Sequence, residues 1–195
     1  LAGRRFKDGT ISSRWPDLTP TIRNFNISLD TYTEEVEKMV KIKKRGSLDY
    51  ISKEYQGPIE KLPFKEYIKD LKKWARKRKA KPYGKPAAFY YKEFDKASNE
   101  NFRADIGIPI KERKKGGEGY KLKFLPPIKV AAKKFKGTPA DYQEAYEEIY
   151  DYIEKKGYKP VGQRMEKFKK VPEKKEGTFN IQSELQVPVE ETAKK

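Results

Sequence analysis

The sequence predicts an α+β fold: two pseudo-twofold-related ββαββ repeats that form one antiparallel sheet with two main helices and a central cleft. Three observations predict it. Late in the chain Ile181, Ser183, Leu185, Val187 and Val189 alternate with Gln182, Glu184 and Gln186, the period of a strand. An earlier stretch, Phe102 to Ile110, ends in the same way, so that Asp105 overlays Glu184, Pro109 overlays Pro188 and Ile110 overlays Val189. Finally, Gly57 matches Gly137 and the helical stripes then coincide: Phe64 with Tyr142, Tyr67 with Ala145, Ile68 with Tyr146, Leu71 with Ile149 and Ala75 with Ile153. Without a further gap, Pro82 meets Pro160 and Gly84 meets Gly162. Gly84 to Asp105 then spans 21 residues and Gly162 to Glu184 spans 22.

Taken in order, residues 1–35 read as an N-terminal extension, with a turn at Arg14–Pro20, local packing of Trp15 and a short strand over Phe25, Ile27 and Leu29. The folded unit is 36–190, divided into repeat one (36–112), a linker (113–119) and repeat two (120–190). Repeat one opens with a strand at Met39–Lys43, read by analogy with Lys121–Phe124, and a second at Leu48–Tyr55 that Gly57-Pro58 ends. An amphipathic helix follows over Pro63–Lys79, with Trp74 beside its apolar stripe. Strands at Ala87–Lys92 and Phe102–Ile110 complete the repeat, and the Lys/Gly-rich stretch from Lys111 to Gly119 is the linker.

Repeat two has strands at Lys121–Phe124 and Lys129–Lys136. Thr138-Pro139-Ala140-Asp141 carries a helix-start signature: a capping threonine, proline at the first position and an acid three residues on. Tyr142, Ala145, Tyr146, Ile149 and Ile153 form the buried stripe, and Gly157 stops the helix. Strands at Met165–Lys169 and Ile181–Val189 follow, then a polar tail, 191–195. Neither repeat alone is large enough to bury a sufficient core, so the two must fold together.

Composition narrows the chemistry. The chain of 195 residues has 46 Lys and Arg against 29 Asp and Glu, a net charge of +17. Two readings stay open: contact with a polyanion such as nucleic acid, and a Lys/Glu-rich solvated surface. Likewise Arg76–Lys79 either complements the C-terminal end of a helix dipole or contacts phosphate. With no Cys and no His, thiolate chemistry and the commonest metal ligand and general base are absent, so no metal and no cofactor are expected. No apolar run is long enough to span a bilayer and the first six residues carry no apolar signal core, which makes a cytoplasmic protein the expectation.

The segments Phe135-Lys136-Gly137, Tyr142 to Ile149, Gly157-Tyr158 and Glu184 to Val189 resemble the GyrI-like small-molecule-binding domain, a family that includes effector-binding domains of multidrug-responsive and AraC-type transcription regulators. The first half resembles it through Gly57-Pro58, the helix carrying Trp74, and Phe89-Tyr90-Tyr91 followed by Asp105 to Ile110. The resemblance implies two SHS2-type units with a ligand cleft between sheet and helices. It also implies a buried glutamate on the last strand that faces aromatic rings and attracts lipophilic cations. Glu184 is the matching position, with Tyr67, Trp74, Tyr90, Tyr146 and Phe168 as candidate aromatic walls and Asp105 as a second polar contact.

Against this, strand alternation alone leaves Glu184 free to face solvent or pair with a lysine. No DNA-binding module is recognisable in the first 35 residues. The leading expectation is a stand-alone binder of a small aromatic or lipophilic ligand. The alternatives are a nucleic-acid or ribonucleoprotein-binding module working through the basic surface, and a hydrolase of electrophilic small molecules with Glu184 as general base. Oligomeric state is not legible.

Overall fold

The computed structural model describes residues 40–91 and 102–192. The strand read at Phe25–Leu29, the packing of Trp15 and the whole extension 1–35 lie outside the described residues, as do Met39, Lys92 and the last three residues of the tail. Repeat one contains β1 (Val40–Arg45), β2 (Leu48–Gly57), α1 (Phe64–Lys77), β3 (Ala87–Tyr90) and β4 (Phe102–Ile110). Repeat two contains β5 (Lys121–Leu125), β6 (Ile128–Gly137), α2 (Tyr142–Lys155), β7 (Tyr158–Pro160), β8 (Arg164–Phe168), β9 (Glu173–Lys175) and β10 (Thr178–Glu191). The short β7 and β9, both paired to β10, have no counterpart in the sequence reading; each is only three residues long, too short to show a period.

The sheet runs β1-β6-β10-β8-β3-β4-β2-β5, all pairs antiparallel. Exchanging the two repeats turns this order into itself. The axis passes through the central β3–β8 pair, where Ala88 lies opposite Glu166, the residue that the alignment of the repeats makes its equivalent. A consequence unseen in the sequence is that the first strand of each repeat belongs to the other. β1 pairs with β6, and β5 pairs with β2. The turn at Gly46 is therefore not a hairpin turn in the sheet.

Both helices lie on one face of the sheet, where Ile68, Leu71 and Ala75 of α1 and Ala145, Ile149 and Ile153 of α2 join Ile106, Ile108, Ile181, Leu185 and Val187 in the main core. The start of α2 is built as read. Asp141 Oδ2 accepts from the Thr138 backbone N–H at 2.7 Å and from Thr138 Oγ at 2.9 Å, and one 3-10 turn, Pro139–Asp141, leads into the helix. Gly157 ends it at φ +72°, a left-handed conformation that glycine adopts without strain. On the helix-free face a smaller cluster forms from Tyr50, Ala87, Phe89 and Met165.

The matched acids of the two repeats occupy equivalent places on this helix-free face. Asp105 on β4 is buried and pairs with Lys123 of β5 at 2.9 Å. Glu184 on β10 pairs with Lys43 of β1 at 2.7 Å and is partly exposed. Each acid thus holds the strand that the opposite repeat contributes. The two latches differ in burial, so they should differ in worth. Lys123→Ala leaves a buried carboxylate with only the Tyr91 hydroxyl, at 2.6 Å, and is expected to cost about 3 kcal/mol. Lys43→Ala, at the solvated latch, is expected to cost less than about 1 kcal/mol. Urea unfolding midpoints of the two variants check this; equal costs would contradict it.

Candidate functional site

The sequence directs attention to Glu184, but the buried acid on the helix side is Glu166. In β8 the helix-facing residues are Arg164, Glu166 and Phe168, while Met165 and Lys167 face the other way. Glu166 is fully buried. Its Oε2 accepts from the hydroxyls of Tyr90, on β3, and Tyr142, on α2, the latter at 2.6 Å. Its Oε1 accepts from Ser183 Oγ, on β10, at 2.5 Å. Three strands and a helix therefore converge on one carboxyl group.

Burial disfavours the charged form, while hydrogen bonds from Ser183, Tyr142 and Tyr90 favour it. Desolvation is the larger effect, and the pKa of Glu166 is raised to about 7. Burial, together with the charge of Glu166, pushes the hydroxyls of Tyr90, Tyr142 and Tyr146 well above their ordinary value. These phenols are donors at any physiological pH.

Aromatic rings wall the carboxyl group. Tyr90 and Tyr142 have centroids 6.2 Å apart, Tyr142 and Tyr146 are 6.4 Å apart, and Phe135 stacks on Tyr142 at 4.9 Å. The Arg164 guanidinium sits over the Tyr146 ring, 4.7 Å from its centroid. A cleft of about 610 Å³ opens at the end of the central strand pair, lined by Tyr90, Tyr91, Tyr150, Pro160, Gly162, Gln163 and Arg164. Tyr90 belongs to both: it lines the cleft and its hydroxyl bonds Glu166. The volume lies in the range of small-molecule sites. The arrangement is a buried acid with aromatic walls, in a form that suits a small-ligand cleft.

The structure brings together only some of the residues singled out from sequence. Tyr90 and Tyr146 stand in the Glu166 cluster. Glu184 and Asp105 face away from the helices, each bound to a lysine. Partial burial of Glu184 acts to raise its pKa, but hydrogen bonds from Lys43 and Gln186 outweigh that and hold it below the ordinary carboxylate range. Trp74 stacks on Tyr120 with centroids 5.2 Å apart, and its indole Nε1 is buried without a hydrogen-bond partner among the described residues. Tyr67 lies edge-on to Tyr55 at 6.3 Å and under the Lys53 ammonium. Phe168 packs on Phe64 at 5.1 Å in the core.

Glu184, the acid singled out from the sequence, is not on the helix side of the sheet; the buried acid there is Glu166. The alternation of β10 is right, but its apolar side is the helix side, so Glu184 must point away. Glu166 escaped notice because β8 carries charge on both faces, Arg164 and Glu166 against Lys167, and so shows no amphipathic direction. One signal was available: the repeat alignment sets Glu166 against Ala88, a charge against a small apolar residue.

The raised pKa has a thermodynamic signature. Glu166 binds its proton more tightly folded (about 7) than unfolded (about 4.5). Between those values the native state holds more protons, so stability falls as pH rises through that window, by on the order of 3 kcal/mol in total. Glu166→Gln should remove this loss. The variant is expected to match the parent near pH 5 and to have the higher urea midpoint at pH 8. Parallel pH profiles for the two proteins would show that Glu166 does not titrate in this way.

A protein-family model described as the GyrI-like small molecule binding domain matches residues 38–190. Among curated proteins no match is found. Several solved structures share the fold. The EcmrR chain in the cryo-EM structure of an EcmrR–DNA complex aligns with a TM-score of 0.58 at 17% identity, over 84% of this chain and 63% of that one. The EcmrR C-terminal domain aligns with a TM-score of 0.57 at 18% identity, over 78% of this chain and 98% of that domain. A hydrolase encoded by lin2189 from Listeria innocua aligns with a TM-score of 0.60 at 10% identity, over 82% of this chain and 98% of that one. At these identities the likeness is one of fold, and this chain spans less than two thirds of the EcmrR chain in the DNA complex. The family match covers most of the sequence and both repeats: the chain belongs to the GyrI-like small-molecule-binding domain family.

Proposed function

We propose that the chain binds a small aromatic or lipophilic ligand that enters between Tyr90, Tyr150 and Arg164 and replaces a tyrosine hydroxyl as the partner of Glu166. The observation that carries this is Tyr90, which lines the open cleft and donates its hydroxyl to the buried carboxyl group of Glu166. Rotation of that one side chain would join the cleft to the acid. A ligand with a positive charge or a hydrogen-bond donor then meets Glu166, and its rings meet Tyr142 and Tyr146. Because Glu166 titrates near neutrality, it meets a cation as carboxylate at higher pH and offers a proton to a neutral acceptor at lower pH.

A second reading is favoured by the same pKa, which is poised where a general base works best. Glu166 would activate water against an electrophilic ligand, with Tyr90 or Tyr142 as proton donor. In this reading too Glu166 takes the role first assigned to Glu184, whose ion pair with Lys43 makes it a weak base. The similarity to the Listeria innocua hydrolase is compatible with this but extends only to fold.

The test is a thermal-shift and calorimetry panel of lipophilic cations and neutral aromatics, run at pH 6 and pH 8. A ligand at 100 times its Kd should raise stability by about 2.7 kcal/mol. For a cation, Glu166→Gln should weaken binding at least about tenfold at pH 8, the cost of one lost charge-assisted contact. If no compound shifts the transition, or the substitution leaves every affinity unchanged, the cleft is not the site. Turnover of an electrophilic compound that Glu166→Gln abolishes would select the second reading.

A further inference from the structure

The pseudo-twofold axis supplies an internal comparison for the basic surface. On the helix-free face, repeat one carries Glu54 on β2, which bonds Arg103 and Lys121. On the three strands there, each base, Arg103, Lys121 and Lys123, has an acid as partner. At the equivalent place in repeat two, counted from Gly57 and Gly137, stands Lys134 on β6. The counterpart of Gln56 is Lys136, and that of Phe89 is Lys167. Lys41, the counterpart of Lys121, has lost its acid. Two acids lie on this face of β1, β6, β10 and β8 among the described residues: Glu184, which Lys43 already holds, and Glu190 near the end of β10, which pairs with Lys159.

The fold does not require this charge. The same strands in the same sheet tolerate an acid at that position in repeat one. In repeat two Lys134 and Lys167 flank Glu184 directly across the ladder, and Lys41 lies opposite Ala132 one strand further out. Lys136 lies opposite Gln182. None of these four lysines forms a direct ion pair among the described residues; Lys167 feels the charge of Glu184, which Lys43 holds. Lys136 and Gln182 also line an adjoining groove of about 470 Å³, together with Lys170, Lys175, Asn180 and Glu173. The large exposed hydrophobic residues, Tyr83, Tyr91 and Phe124, all lie outside it.

We propose that this face, Lys41, Lys134, Lys136 and Lys167 with the amides of Gln182 and Asn180, is a docking surface for the sugar–phosphate backbone of nucleic acid. Lysines on neighbouring strands stand about 5 Å apart per strand, and alternate residues along a strand about 7 Å apart, spacings that let several side chains reach successive phosphates. Amides between the lysines suit phosphate and sugar oxygens. The absence of an exposed aromatic in the patch gives no platform for stacking bases, so recognition is of backbone charge and independent of sequence. The lack of a large exposed hydrophobic side chain, with only the half-buried Val171 at the groove, also disfavours insertion into a lipid surface. This surface is on the opposite side of the sheet from Glu166, so the proposal stands apart from the ligand-binding reading.

The experiment is fluorescence-anisotropy titration of the full chain with a labelled duplex and a labelled single strand of two unrelated sequences, from 50 to 200 mM salt. Four phosphate contacts predict an affinity loss of about 150-fold over that range on duplex, with little difference between sequences. Lys134→Glu installs in repeat two the residue that repeat one already accommodates, so folding is expected to survive, and circular dichroism checks it. It should weaken binding and flatten the salt dependence. Lys115→Glu, with the same change in net charge outside the patch, should weaken binding far less. Equal effects of the two variants would overturn the assignment to this face. No binding at 50 mM salt, or binding only to vesicles containing anionic phosphatidylserine, would overturn nucleic acid as the partner.

Discussion

Exchange of the first strand between the repeats is the constraint on which the rest of the structure depends. β1 completes the sheet of repeat two and β5 completes that of repeat one. Neither half can close its own sheet, and the central β3–β8 pair can form only when both halves are present. The Asp105–Lys123 and Glu184–Lys43 pairs sit across these exchanged contacts. Their placement reflects a general need: an edge strand contributed from elsewhere in the chain must be held in register, and a charge pair between specified residues fixes register more sharply than apolar contact does.

That architecture places a fully buried carboxyl group, Glu166, where strands from both repeats meet. An isolated carboxylate there would be costly, and the fold supplies three hydroxyl donors. They do not fully offset the loss of water, and the acid keeps a pKa near 7. A group held in this half-compensated state interacts strongly with whatever replaces one of its donors. The tyrosines serve both needs, since their hydroxyls bond the acid and their rings form the wall.

Much of the fold was legible because the chain states its pattern twice. The stripe of α2, the Thr138–Asp141 cap and the alternation of β10 each follow from local spacing, and the second copy supports weaker readings in the first. Strand exchange was not legible, because a strand's pattern says which face is buried but not which neighbour it meets. For the same reason Asp105 and Glu184 were rightly matched to each other yet assigned to the cleft: alternation gives two faces, and only the helices decide which of them is the inside. Tyr90 and Tyr146, which stand out in the sequence by their aromatic character, lie beside Glu166, whereas Glu166 itself is in a short strand of mixed charge that offers no period.

The opposition of Ala88 and Glu166 at the pseudo-twofold axis carries a further meaning. Two separate, identical units assembled in this way would present the same side chain from both sides of the axis, either two carboxyl groups in mutual repulsion or two methyl groups and no chemistry. Joining the units in one polypeptide frees the two positions to differ. One keeps a small residue and yields the space; the other keeps the acid. A polar centre built from a single group is thus something a covalent tandem can hold and a symmetric dimer of the same unit cannot.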